Sequence, residues 1–309
     1  MLTENSMLLA KIEATYGTDP TPTTAANFIA VYDINVNPNL TYNDTQGQDG
    51  SLSARGGTIG QGYIEVSFTH ELQVNETTAT TPPCDPLLLA CGFTDGAADG
   101  TYLPYTSYPS GKSSVTLYVY HEDLLWTVTG ARGNANFVFQ AGQPARIEFT
   151  FQGKYQGFSD TTFPTTWTDL GGDPVVAMNQ SFDWDSSNHP VVESLSFTLG
   201  NTLAVSPTID DADSYGVDAI EITNRLGEGS FNPVAVKDGT IDFQTHMLAT
   251  TQTAIDYVVG DGTRTVTISL PKTEIMNITP GDRNGIRIFD IPFRLVRNTG
   301  DDEISIAFA

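Results

Sequence analysis

Between Ala145 and Gln152 polar and apolar residues alternate without a break. Arg146, Glu148, Thr150 and Gln152 are separated by Ile147, Phe149 and Phe151, and Tyr155 extends the apolar set. A period of two is the geometry of a strand, in which successive side chains point to opposite faces. Every Phe therefore falls on one face and every polar residue on the other. The short turn-forming stretch "AGQP" (141–144) predicts "NANFVFQ" (134–140) as the antiparallel partner. Whatever the chain folds into must include this hairpin as a wall with one buried side.

Strand patterns of this kind fill the sequence. They cover 27–36, 62–72, 113–122, 124–130, 134–140 and 145–155, and then 191–200, 218–227, 264–271 and 285–296, with "DEISIAFA" closing the chain. Thr, Val, Ile, Phe and Tyr occupy these segments while Gly, Asn, Asp and Pro separate them, which predicts a mainly β fold. "LLWTVTG" (124–130) and "NANFVFQ" (134–140) are read as separate strands, with 131–133 between them. Two places read as helix. One is "CDPLLLACGF", about 84–92, with Pro86 suited to a first turn and Gly92 to a C-cap. The other lies in 242–260, at least in its first half.

The order of elements recurs. Strand, polar loop, strand, short helix, Gly-rich loop, strand and final amphipathic strand follow one another in both halves, and "ARIEFTFQGKY" compares with "IRIFDIPFRLV". This predicts a tandem duplication, with one large sandwich of coincidental symmetry as the alternative. The division is residues 1–158, an aromatic-rich connector at 159–190, and a diverged second copy at 191–309. Residues 156–190 carry Phe158, Phe163, Trp167, Phe182 and Trp184, so the connection is expected to be packed and not a free tether. Residues 38–62 form a polar, Gly-rich stretch of a length that is unusual for a structureless loop and points to function. Its second-half counterpart, 201–217, is shorter.

Charge limits the partners. With 14 basic against 37 acidic residues and a net charge of −23, the chain has no general attraction for phosphate backbones or anionic lipid. The N-terminal residues lack a basic region followed by an apolar core, and no run is long enough to span a membrane. The N-x-[ST] sites at Asn39, Asn75 and Asn277 therefore carry no weight as glycosylation signals. Cys84 and Cys91 lie too far apart on a helix for a disulfide, and read as buried thiols. The histidines His70, His121, His189 and His246 stand in unrelated contexts, and His70 and His121 are expected to be solvated at strand ends. "DDADSYGVD" (210–218) begins like a calcium loop but has Ile222 where the bidentate Glu belongs. No cofactor, metal site or catalytic residue is predicted, and an enzyme is not expected. Paired carboxylates of the glycosidase kind are left open by the abundance of acids.

Three stretches carry a resemblance to a known family. "LLAKIEATYGTDPTPTTAANFIAV" (8–31), "PPCDPLLLACGF" (82–93) and "SGKSSVTLYVYHEDLLWTVTGARGNANFVFQAGQPARIEFTFQGKY" (110–155) resemble the major tail tube proteins of long-tailed, non-contractile (siphovirus-type) bacteriophages. The match covers roughly residues 8–158. The resemblance implies a tail-tube-type β-sandwich or barrel with a short flanking helix, arranged six to a ring. Stacked rings then form the conduit for DNA, in the virion tail, after assembly in the host cytoplasm. Implied partners are further copies of the chain, the tape measure protein and passing double-stranded DNA in the lumen without specific binding, and tail terminator and distal tail proteins, with no membrane. In the family the loop after the first strands reaches an adjacent ring, which corresponds here to Asn39, Tyr42, Asp44, Gln46, Asp49, Arg55 and Ile59. Arg146, Glu148, Thr150 and Gln152 would line the lumen or meet a neighbour within the ring. If the chain holds two copies, trimers supply the six positions. The rival readings are a tail terminator or decorated tail protein, and an extracellular carbohydrate-binding module using the aromatics of 156–190.

Overall fold

A computed structural model of the chain describes residues 5–48, 50, 53–75, 80–94, 100–104, 112–178, 181–186, 188–210, 215–237, 239–260 and 264–309. The first half runs β1 (Ser6–Ile12), β2 (Phe28–Ile29), β3 (Tyr32–Asp44), β4 (Gly57–Glu71), β5 (Gln73–Asn75), α1 (Asp85–Ala90), β6 (Thr101–Tyr102), β7 (Val115–His121), β8 (Leu124–Gln140) and β9 (Arg146–Asp160). Then follow β10 (Gly171–Pro174), β11 (Phe182–Trp184), β12 (Val192–Thr198), β13 (Asn201–Pro207), β14 (Val217–Arg225) and β15 (Glu228–Pro233). The last elements are α2 (Phe243–Leu248), β16 (Thr253–Gly260), β17 (Thr265–Ile275), β18 (Thr279–Arg283), β19 (Ile286–Leu295) and β20 (Ser305–Phe308). The fold is mainly β, as the sequence pattern predicts.

The alternating hairpin forms in the expected register. Val138 lies opposite Arg146 and Phe137 opposite Ile147. Ile147, Phe149 and Phe151 are buried, and Phe68 of the neighbouring β4 sits with its ring 5.6 Å from Phe149 and 5.8 Å from Phe151. Burying each such ring contributes about 1.5–3 kcal/mol. Residues 131–133 do not separate two strands, however. Leu124–Gln140 is one strand in which the register slips between Thr129 and Arg132, and Gly130 takes a φ of +61° there. A Cβ on Gly130 would come within 2.8 Å of the Tyr16 ring, so only glycine fits the bulge.

The pairing order is the same in both halves. In the first, β1 pairs with β7, β7 with β8, β8 with β9, β9 with β4 and β4 with β3, all antiparallel. In the second, β11 pairs with β16, β16 with β17, β17 with β19, β19 with β15 and β15 with β12, again antiparallel. The helix falls between corresponding strands, after β4 and β5 in one and after β15 in the other. Long strands of the first series answer to broken strands of the second: β3 to β12 and β13, β4 to β14 and β15, β8 to β17 and β18, and β9 to β19 and β20. One break has a visible cause. Gly200, between β12 and β13, has a φ of +66°, and a Cβ there would meet the Leu226 carbonyl oxygen at 1.8 Å.

The two series join edge to edge. The C-terminal part of β8 pairs with β12, Asn136 opposite Thr198 and Phe139 opposite Leu195, and β20 pairs with β6. One core of buried residues runs through both, with Phe137 and Phe197 stacked at 4.9 Å across the junction. Aromatics of the connecting segment are packed to different degrees. Trp184 is buried against Phe243, Phe163 meets Tyr120 edge-on at 6.2 Å, and Trp167 is half exposed with its ring 5.8 Å from Phe28.

Other expectations need correcting. Residues 38–62 are mostly not a loop: β3 and β4 continue as a paired hairpin out to Asp44 opposite Gly57. The shorter counterpart at 201–217 likewise contains β13, which pairs with β14. The helix expected in at least the first half of 242–260 does form, as Phe243–Leu248, and Thr253 begins a strand, because Thr, Ile, Tyr and Val alternate from there onward. His70 is not solvated. It is fully buried, and burial keeps its pKa below the ordinary value, so the neutral ring donates from Nδ1 to the Ala30 carbonyl at 2.8 Å. Cys84 and Cys91 are buried free thiols at the two ends of α1, and burial pushes both up.

Candidate assembly surfaces

The hairpin of β3 and β4 projects as an arm held by backbone pairing. Asn39, Tyr42 and Asp44 lie on β3 and Ile59 on β4, with Tyr42 directly opposite Ile59. Both are well exposed, Tyr42 at 59% and Ile59 at 54%, which places an apolar pair where solvent would otherwise be. The arm is shaped locally: the Gly57 amide donates to the Tyr42 hydroxyl at 2.7 Å, and a Cβ on Gly57 would strike the Tyr42 ring. Gln46 and Arg55 lie in the connection between the strands, where the Arg55 guanidinium lies close over Gly47. Asp49 lies outside the described residues, as do Asp211 and Asp213 of the calcium-like stretch. At the root of the arm the Gly62 amide donates to the Tyr215 carbonyl at 3.1 Å.

A second surface is the polar face of the joined sheets. Glu148 and Thr150 are exposed and Arg146 and Gln152 half-buried, with Arg146 Nε 3.5 Å from Glu148 Oε1 and Asn136 Nδ2 donating to Glu148 Oε2 at 2.9 Å. The face does not stop at the hairpin. Thr150 lies opposite Ser67 on one side and Asn134 on the other, Asn136 opposite Thr198, and Ser196 opposite Ser230. In the second half Arg294 and Glu228 pair across β19 and β15 at 3.4 Å, where Arg146 and Glu148 of the first half are neighbours along one strand. The result is a band of short hydroxyl and amide side chains with paired charges that crosses the junction between halves. Ser194, Ser196 and Thr198 were missed as part of it, although they alternate with Leu195, Phe197 and Leu199 in the same period of two.

Between the halves lies a buried polar network. Glu13 accepts from the Gly17 amide at 2.7 Å, Ser114 Oγ at 2.6 Å, Thr116 Oγ1 at 2.7 Å and the Gly130 amide at 2.6 Å. The Tyr16 hydroxyl donates to the Gly130 carbonyl at 3.0 Å and accepts from the Ile220 amide at 2.7 Å, and burial pushes it up to about 12. Arg132 stacks over the Tyr16 ring at 4.8 Å and donates from Nη1 to the Ile220 carbonyl at 2.6 Å. Glu221 pairs with Arg132 and Lys112. Burial works to raise its carboxyl, but the two cations together hold it below its ordinary value. The "YGTDPT" and "TGARG" stretches therefore meet in space and clamp the β13–β14 hairpin against the first half. The network escaped the sequence reading because Arg132 and Glu221 lie more than a hundred residues from Glu13 and Tyr16, and no local spacing matches them to those residues.

Among the described residues no group of three or more His, Cys, Asp or Glu is placed to hold a metal ion. What these surfaces offer is strand edges, an exposed arm and a uniform polar face. Residues 3–295 match the family described as phage tail tube protein. No curated protein matches the chain.

Proposed function

The chain belongs to the phage tail tube protein family, a structural and not an enzymatic family, and from that premise we propose that each chain fills two of six positions in a ring. Membership implies self-assembly into a tube and a location in the virion tail. Three chains then close a ring, and rings stack into the tube of a long, non-contractile tail assembled in the host cytoplasm. The lumen holds the tape measure protein and later passes double-stranded DNA, while terminator and distal tail proteins close the two ends.

The observation that carries this reading is the repeated pairing order, β1-β7-β8-β9-β4-β3 in one half and β11-β16-β17-β19-β15-β12 in the other, joined through β8 and β12. Two like units set side by side, with β8 paired to β12 and β20 to β6, form an arc, and repeating a head-to-tail contact closes a ring when the rotation closes. The repeat supports a tandem duplication whose second unit begins at β11, nearer Phe182 than residue 191. The polar face of Arg146, Glu148, Thr150 and Gln152 suits a lumen. It carries paired charges and no cationic cluster, and a net charge of −23 opposes trapping of a polyanion. The arm, with Asn39, Tyr42, Asp44, Gln46, Asp49, Arg55 and Ile59, is the stacking element. Purified protein is expected to grow into long tubes of regular repeat in negative stain. Growth that stops at one ring would instead identify a tail terminator, and a monomer that binds glycans would overturn the reading.

A further inference from the structure

The arm does not leave the sheet straight. Leu40 lies opposite Gly62 and Tyr42 opposite Ile59, so Gly60 and Gln61 together face Thr41 alone. A bulge of this kind bends a strand pair and re-aims what lies beyond it. On its other edge β4 is accompanied by β9 only as far as Tyr63, opposite Lys154. Past that residue the arm is a two-stranded ribbon, and such a ribbon holds its direction poorly without support.

Support comes from the turn end of the β13–β14 hairpin. The Gly62 amide, next along β4 after the last pair with β9, donates to the Tyr215 carbonyl at 3.1 Å. Gln61 Nε2 donates to the Gly216 carbonyl at 3.4 Å, and the Tyr215 ring lies 5.3 Å from that of Tyr155. These contacts fall on the bulge itself. The hairpin that makes them is firmly held: Val217 and Ile220 are fully buried, and Tyr16, Arg132 and Lys112 grip Ile220 and Glu221. Among the described residues β13 and β14 pair only with each other, and they leave β12 through the bend at Gly200.

In the second unit β13 and β14 stand where the first unit has the outer parts of β3 and β4. Resting on the ring reading above, we propose that this hairpin is the second unit's arm turned inward as a brace, which sets the direction in which the β3–β4 arm projects toward the next ring. Gln61 and Tyr215 are its positioning residues. Each chain then stacks through one arm, and a ring of three chains through three.

The double variant Gln61→Ala, Tyr215→Ala tests the brace, since both residues are exposed and neither lies in the core. Its denaturant midpoint is expected to match that of the unaltered protein, while the amides of residues 57–62 exchange about tenfold faster in the single chain. Rings are expected to close but to grow into markedly shorter tubes. Unchanged exchange at 57–62 with tubes of ordinary length would overturn the brace and leave the ring reading standing. If the unaltered protein forms no rings, the ring reading fails, and exchange in the single chain still decides whether the arm is braced. Should the variant fail to fold, exchange on the unaltered protein decides. The amides of Ile220 and Gly62 are expected to be as protected in tubes as in the single chain, and faster exchange at both on assembly would show the hairpin leaving the arm and overturn the brace.

Discussion

Glu13 is 7% exposed and receives four hydrogen bonds, two of them from backbone amides in separate segments. Buried donors are costly to leave unmatched, at about 1–3 kcal/mol each. Glu13→Ala strands the donors of Gly17, Ser114, Thr116 and Gly130 together. It is expected to lower stability by about 3 kcal/mol or more, seen as a fall in the denaturant midpoint with little change in slope. A loss under about 1 kcal/mol would mean that water replaces the carboxyl at no cost, and the network would not be what fixes the junction. Nothing about Glu13 in "AKIEATYG" announces this role, because its partners lie roughly a hundred residues away. His70 was misjudged for a related reason. Its neighbours in sequence, Thr69 and Glu71, are polar, but its own position falls on the buried side of β4, in step with Ile64, Val66 and Phe68.

At the scale of elements, legibility followed burial. The hairpin of β8 and β9 could be read from Arg146 to Gln152 because its inner face meets a core and its outer face does not, so the alternation is strict. The arm could not. Asn39, Thr41, Asn43, Gly57 and Gly60 have the composition of a loop, since none of them is buried in the core and the backbone ladder is the main thing that holds them in strands. The same contrast divides 242–260. Asp242 caps the helix by accepting from the Thr245 amide at 2.8 Å, and the change to alternation at Thr253 ends any helical reading. Because the arm adds little to the core, deleting residues 42–58 is expected to leave a folded protein within about 1 kcal/mol of the full chain. That protein should close rings that no longer stack, visible as isolated rings in negative stain. Tubes of ordinary length from the deletion variant would remove the arm from the stacking contact.

For the whole molecule, the motifs of residues 8–158 pointed to the family, while the second half lacked them and was legible only as an order of elements. The shared pairing order supports the proposed repeat without requiring matched residues. Pro292 stands where Thr150 does, and β18 and β20 are cut away from the strands they continue, which hides the likeness from a residue-by-residue comparison. On the reading proposed above, with two such units joined through β8 and β12 in each chain, three chains close the ring. An end-on average of assembled tubes, with the chains in one ring counted, decides the matter. Three chains around a three-fold axis, with six similar but alternating lobes, is the expected image. A ring of six identical chains would contradict it.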